Sequence, residues 1–173
     1  MTSPARILGA ILGGGASSRF GSDKALALHE GRPLIGHVAA ALAAQTQALV
    51  ICGRAWGGYA DLADQPAPRL GPIGGICAAM QYGAANGFSH VLIAPCDLLG
   101  IPADTAACLL PGPAVAEGQW LLGLWPTGLC QALTAAILSE GAIPVRRWIQ
   151  LSGAVSVAVG GLRNVNRPGD LPI

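Results

Sequence analysis

Apolar positions in this chain fall into short, nearly unbroken blocks separated by glycine, proline and polar clusters. Residues 5–12, 49–52 and 91–94 are such blocks, and the first runs into three consecutive glycines. A short apolar run closed by turn residues suits a strand buried on both faces of a parallel sheet. Helices are expected between the blocks. Residues 33–45 open on a proline, which a first helical turn tolerates. Residues 75–85 are alanine-rich and end at Gly87. Residues 102–109 put Asp104 in a first turn, where the helix dipole favours a carboxylate. Further helices are predicted over 129–138 and 145–151, the latter opened by Pro144. Residues 114–116 and 120–125 read as strands around a turn at Gly118, and 155–159 as the last strand. Residues 53–70 read as irregular and 160–172 as a tail. Strands alternating with helices predict an α/β protein, one Rossmann-like three-layer domain with a mostly parallel central sheet. Such sheets bind ligands at the carboxyl ends of their strands. The loops after Leu12, Cys52 and Ala94 should therefore meet in one crevice.

Composition narrows the function classes. A chain of 173 residues buries about two-thirds of its surface on folding, enough for a core without disulfide or metal staples. Charged residues are 11% and hydrophobic residues 52%, the opposite of a disordered chain. Ten Lys and Arg stand against nine Asp and Glu with no charge run, which argues against nucleic acid as a partner. Weak surface repulsion fits a monomer or a weak homo-oligomer. The mean hydropathy of +0.52 raises the question of a membrane. The longest uncharged stretches, residues 70–96 and 118–139, are each broken by proline and glycine and read as a strand plus a helix, so no membrane span is expected. The first residues lack the apolar core and cleavage site of a signal peptide, which points to the cytoplasm. The cysteines at 52, 77, 96, 108 and 130 are odd in number and contain no CxxC, so buried free thiols are expected.

The chemistry concentrates after the first strand, in Leu12-Gly13-Gly14-Gly15-Ala16-Ser17-Ser18-Arg19-Phe20-Gly21-Ser22-Asp23-Lys24. Consecutive glycines let backbone approach a ligand and offer N–H groups to anionic oxygens. Arg19 and Lys24 follow as cations, and Lys24 is the only lysine in the chain. Together they suit a polyphosphate. The segment is not a P-loop, because Gly21 is followed by Ser-Asp-Lys. It contains Gly13-x-Gly15-x-x-Ser18, a weak imitation of a dinucleotide fingerprint. Asp97 follows the strand at 91–94 through Pro95-Cys96. A carboxylate at that end of a strand can hold Mg²⁺ beside a triphosphate, or serve as a helix cap.

Leu12-Gly-Gly-Gly-x3-Arg-Phe-Gly-Ser-Asp-Lys24 resembles the signature of nucleotidyltransferases that activate small substrates with an NTP, and above all that of the molybdenum cofactor guanylyltransferases. The resemblance continues in order through Gly31-Arg32-Pro33-Leu34, Gly71-Pro72-Ile73-Gly74-Gly75, Pro95-Cys96-Asp97 and Asn164-Val165-Asn166-x-Pro168. It implies a nucleotidyltransferase-type fold and transfer of GMP from GTP to the terminal phosphate of molybdopterin, with release of pyrophosphate. Arg19, Lys24 and Asp97 are then the catalytic residues, with Mg²⁺ on Asp97. The nucleotide and cofactor site is implied at Leu12, Gly13, Gly14, Gly15, Arg19, Lys24, Cys52, Asp64, Gly71, Asp97, Asn164 and Asn166. Partners beyond GTP and molybdopterin would be other cofactor-biosynthesis proteins or acceptor molybdoenzymes.

Individual residues keep their own chemistry beside this resemblance. Asp64 lies seven residues before Gly71, the spacing at which the resembling enzymes set an aspartate against the guanine nucleotide; a carboxylate can accept from guanine N1–H and N2–H together, and Asp61 competes for the role. Asp23 can pair with a backbone N–H or with Arg19. Asn164 and Asn166 flank Val165, so both amides point to one side of an extended segment. Gly71 to Gly75 places a helix N-terminus where a phosphate could sit. His37 is expected to be packed, Trp120, Trp125 and Trp148 to be core, and Trp56 to cover a loop or stack on a base. Two positions depart from the family pattern. Cys52 stands where the resembling enzymes carry an asparagine, and Ile143-Pro144 replaces a more basic stretch before Arg146-Arg147. The alternatives are a related nucleotidyltransferase using CTP or another acceptor, an oxidoreductase using the glycine fingerprint, and a non-catalytic nucleotide-binding paralogue.

Overall fold

The computed structural model describes residues 4–14 and 23–165. Its frame is a seven-stranded sheet. Strand β1 (Ile7–Leu12) lies inside the sheet, wholly buried, with β4 (Ala48–Cys52) and β6 (His90–Pro95) parallel to it on either side. Beyond β4 lies β5 (Ala60–Leu62), also parallel. Beyond β6 lies β9 (Gln119–Pro126), antiparallel to both β6 and β8 (Ala114–Ala116), and β10 (Val155–Val157) closes that edge parallel to β8. The order is β10-β8-β9-β6-β1-β4-β5. The mostly parallel sheet follows from the apolar blocks. β1 sends Ile7 and Ile11 into one core and Leu8, Ala10 and Leu12 into the other, so a strand covered on both faces has no polar alternation.

Helices cover both faces. On one side, α1 (Leu34–Ala43) contributes Ile35, Val38, Ala39 and Leu42, a spacing that stacks them on one helical face, and α3 (Thr105–Leu109) adds Ala106 and Leu109. On the other side, α2 (Pro72–Ala85), α4 (Cys130–Glu140) and α5 (Val145–Ser152) bury Ile76, Met80, Leu133, Ile137 and Trp148. A Cβ on Gly75 of α2 would lie 2.8 Å from Leu12 and 3.2 Å from Cys52, so its absence lets the helix start sit directly on the ends of β1 and β4. Two short ladders complete the fold. The hairpin of β2 (Leu28–His29) and β3 (Arg32–Pro33) turns through Glu30 and Gly31, both at positive φ. β11 (Arg163–Asn164) pairs antiparallel with β7 (Leu98–Leu99).

Several expected elements shift. α2 begins at Pro72, three residues earlier than predicted, because Gly74 and Gly75 are close-packing positions inside the helix. α3 begins at Thr105, and Asp104 is its cap position rather than part of its first turn. The preceding turn is held by Thr105 Oγ1, which donates to Pro102 O at 2.8 Å. The last main-sheet strand stops at Val157. The segment expected to be irregular holds β5, and the tail holds β11. Trp120 is 40% exposed, with the Arg146 guanidinium 3.6 Å above its ring; Trp125 and Trp148 are core as expected. Cys52 and Cys77 are buried, but Cys108 is exposed. His37 packs against His29, with its Nε2 2.8 Å from His29 O. The long uncharged stretches divide into α2 with β6, and β9 with α4. Among the described residues no helix is long and apolar enough to cross a membrane.

Candidate active site

The loops after β1, β4 and β6 converge as the sheet topology requires. Gly13 N–H and Gly14 N–H donate to Cys52 O at 2.9 and 3.1 Å, and Cys96 N–H donates to Leu12 O at 3.2 Å. Gly53, at φ +83°, packs its Cα so close to Gly14 that a Cβ there would lie 2.9 Å from the Gly14 Cα. These contacts wall a cavity of about 870 Å³ lined by Leu12, Gly13, Gly14, Lys24, Cys52, Asp64, Arg69, Gly71, Cys96 and Asp97, among others. One expectation is corrected here. The N–H groups of Gly13 and Gly14 are spent on Cys52 O, so these two glycines shape the cavity by close approach and do not present donors to a ligand. Gly15 and Arg19 lie outside the described residues.

At the β6 side of the cavity, Lys24 Nζ makes an ion pair with Asp97 Oδ2, and both side chains are less than one-fifth exposed. Lys24 opens a short 3-10 turn, Lys24–Leu26, capped by Asp23, whose Oδ1 accepts from Ala25 N–H at 3.3 Å. Asp23 pairs with Arg54, whose Nη1 and Nη2 donate to its two oxygens at 2.7 and 2.5 Å. That bidentate bond holds the Asp23 carboxyl below its usual range and raises the guanidinium in turn. Arg54 also lies where a Cβ on Gly13 would meet its Cδ at 2.7 Å. One arginine thus touches the chain at Gly13 and again at Asp23, on either side of the glycine-rich segment.

At the β5 side, Asp64 Oδ2 accepts from Leu70 N–H at 3.1 Å, and a Cβ on Gly74 would meet the Asp64 Cγ at 2.7 Å. The carboxylate is therefore set against the start of α2 and faces the cavity. Asp61, the alternative to Asp64, lies exposed on β5 and outside the cavity lining. Gly71 and Pro72 line the cavity at the positive end of α2, a setting that favours anions. Cys52 is 2% exposed; its thiol contacts Gly75 O at 3.4 Å, and burial pushes it up to about 12, with Asp64 adding to the shift. Burial likewise pushes Cys96 up to about 11, with Asp97 as the next cause. Both thiols are neutral lining groups. Across the sheet, β6 and β5 are three strand spacings apart, roughly 14 Å. Asp97, just past β6, and Asp64, just past β5, therefore stand at opposite sides of the cavity.

The remaining predicted residues fall elsewhere. Asn164 is exposed on β11, opposite Leu98 and outside the cavity lining, although its neighbour Val165 donates to Asp97 O at 3.1 Å. Asn166 lies outside the described residues. Trp56 stacks on Tyr59 at 6.0 Å and 14° and packs beside Gly36, so it covers a loop rather than lining the cavity. Two residues escaped the sequence reading. Arg54 and Arg69 both sit in the segment read as irregular. A usable signal was there for Arg54, a cation two residues past the end of an apolar block.

Comparison with known proteins bears on the fold and the family. The MobA-like NTP transferase domain matches residues 9–155. The chain is 32% identical to the molybdenum cofactor guanylyltransferase of Acidiphilium cryptum, over 93% of this chain and 90% of that protein. It is 37% identical to the probable molybdenum cofactor guanylyltransferase of Deinococcus radiodurans, over 94% and 90%. Among solved structures, molybdopterin-guanine dinucleotide biosynthesis protein A from Archaeoglobus fulgidus has a TM-score of 0.70 over 95% of this chain and 94% of that chain, at 19% identity. The 2-C-methyl-D-erythritol 4-phosphate cytidylyltransferase of Thermus thermophilus has a TM-score of 0.63 over 94% of both chains, at 14% identity. The structural likenesses establish a nucleotidyltransferase-type fold, and the sequence matches carry the assignment further: the chain belongs to the MobA-like NTP transferase family.

Proposed function

We propose that this protein transfers GMP from GTP to the terminal phosphate of molybdopterin, releasing pyrophosphate and forming the guanine dinucleotide of the molybdenum cofactor. The observation that carries the reading is the Lys24–Asp97 ion pair at one side of a cavity whose other side holds Asp64. An oxygen of the acceptor phosphate forms the new bond to the α-phosphorus. The bond from that phosphorus to its bridging oxygen breaks, and the electron pair leaves on pyrophosphate. The attacking phosphate is already ionised, so no general base is needed. Positioning and charge neutralisation then supply most of the catalysis. Lys24, held by Asp97, faces the triphosphate with a compact positive charge. The start of α2 adds the positive end of its dipole. Arg19 acts beside the leaving pyrophosphate, on the strength of the sequence pattern alone.

Asp97 also suits Mg²⁺. Among the described residues no three His, Cys, Asp or Glu side chains cluster as a metal cage. A single partly buried carboxylate beside a phosphate site is the donor set that Mg²⁺ uses, completed by phosphate oxygens and water. Bound Mg²⁺ supplies further neutralisation of the phosphate charge. Asp64 selects guanine by accepting from N1–H and N2–H, a donor pair that adenine and cytosine do not offer. The direct test incubates the purified protein with molybdopterin, Mg²⁺ and either GTP or CTP, and reads the dinucleotide by mass and pyrophosphate by a coupled assay. Guanine dinucleotide with stoichiometric pyrophosphate is the expected result. Cytosine dinucleotide, or neither product, would overturn the proposal.

A further inference from the structure

Arg69 lines the cavity in the loop between β5 and α2, the same loop that carries Asp64. Its backbone has φ +64°, the left-handed region that a residue with a Cβ disfavours. Two residues on, Gly71 takes φ +70° as a glycine can without that penalty. The chain therefore keeps an arginine at a backbone position that glycine would fill more easily, and the side chain is what distinguishes it. Four other arginines are engaged by the protein itself. Arg54 holds Asp23, Arg147 meets Glu140, and Arg6 and Arg146 lie over the rings of Phe88 and Trp120. Among the described residues Arg69 has no carboxylate partner and stacks on no ring, and it is exposed where it lines the cavity. The residue after it is tied to Asp64 through the Leu70 N–H, so the loop carries the guanidinium and the carboxylate as one unit.

We infer that Arg69 is a specificity-determining residue that reads the O6 and N7 edge of guanine, while Asp64 reads the N1–H and N2–H edge. The inference rests on the guanine-nucleotide reading given above. Guanine presents two acceptors, O6 and N7, beside two donors, N1–H and N2–H. A guanidinium matches the first pair in a bidentate contact, and a carboxylate matches the second. Adenine carries an amino donor where guanine carries O6, and would meet the arginine donor to donor. Cytosine has no N7. The paired charges thus add a repulsive element against the wrong base to the attractive one for guanine.

Calorimetric titration in Mg²⁺ with GTP, 7-deaza-GTP (which lacks N7), inosine triphosphate (which lacks the N2 amine) and CTP tests this in the wild type, Arg69→Met and Arg69→Gly. The wild type should bind GTP about tenfold more tightly than 7-deaza-GTP, within the range of a bidentate base contact. Both variants should lose that ratio and keep the preference for GTP over inosine triphosphate. Arg69→Gly relieves the backbone, so its loss of discrimination cannot come from loop strain. Equal weakening of all four nucleotides in both variants would make Arg69 a phosphate-binding cation and overturn the inference, as would an unchanged ratio. A wild type with no preference for GTP over CTP would overturn the guanylyltransferase reading itself, and this inference with it.

Discussion

The two sides of the cavity hold their charges differently. By β6, Lys24 is paired with Asp97, and Asp23 next to it is held in a bidentate bond by Arg54. By β5, Asp64 is anchored through one backbone N–H and Arg69 has no carboxylate partner among the described residues. Under the proposed function, the difference matches two chemical tasks, holding phosphates by β6 and reading a base by β5. Phosphates bring several negative charges and demand donors fixed in place before the reaction. A base is neutral and is told apart by which edges find partners, so its site needs a few directional groups rather than a locked ionic cluster. Both sides depend on the same trick of backbone contact, the bare α-carbons of Gly53 and Gly75 that bring β1, β4 and α2 together.

The comparison can be broken most sharply at the phosphate side. Asp97→Asn and Lys24→Ala should each lower GMP transfer by about 10²- to 10³-fold, the usual loss for one group that meets transition-state charge. Steady-state kinetics would show it, with thermal melting as a check that the fold survives. Next in size is Gly53→Ala. Its φ of +83° and the 2.9 Å approach to the Gly14 Cα leave no place for a methyl group, and the neighbour is backbone. A destabilisation of about 1–3 kcal/mol is expected by chemical denaturation, together with weaker binding of every nucleotide. If Gly53→Ala impaired GTP but spared CTP, the two sides would not share one backbone support.

Smaller effects sharpen the same contrast. Asp23 is lowered below its ordinary value of 3.8, chiefly by the Arg54 hydrogen bond. A carboxyl depressed in the folded state stabilises the protein above its unfolded pKa, and the contribution is lost as pH falls through the folded value. Arg54→Met should therefore flatten the acid side of the stability profile below about pH 4. Because Asp23 is 44% exposed, the loss at neutral pH should stay under about 1 kcal/mol. Least affected should be Glu140→Gln. It breaks a pair with Arg147 in which both side chains are more than 40% exposed, and both stability and turnover should hold within about 0.5 kcal/mol.

The side proposed to take the phosphates was legible in the sequence because its parts announce themselves locally. An apolar block ending in glycines, the only lysine, and an aspartate just past another apolar block are all visible without contacts. The side proposed to take the base was only half legible. Asp64 was picked out by the family resemblance at its spacing to Gly71, but Arg69 sits in a stretch with no periodicity. There β5 is three residues long, lies at the sheet edge and is mostly exposed, so it has no hydrophobic pattern to read. The same reason hid β11, whose two residues owe their strand geometry to Leu98 and Leu99. Trp120 misled because size and hydrophobicity do not fix burial. At the start of β9 it carries Arg146 on its face and stays exposed. The Gly13 and Gly14 amides misled for a related reason. A glycine run permits close approach, but only the register against Cys52 O decides what its N–H groups bind.

One titration reaches the centre of this account: GTP and CTP with Mg²⁺ into the wild type, Asp97→Asn and Asp64→Asn, read by calorimetry. If the cavity has a phosphate side and a base side, Asp97→Asn weakens both nucleotides in proportion, while Asp64→Asn weakens GTP and leaves CTP where it was. If Asp64→Asn weakened both nucleotides equally, or Asp97→Asn altered the preference between them, the division of the cavity proposed here would be wrong.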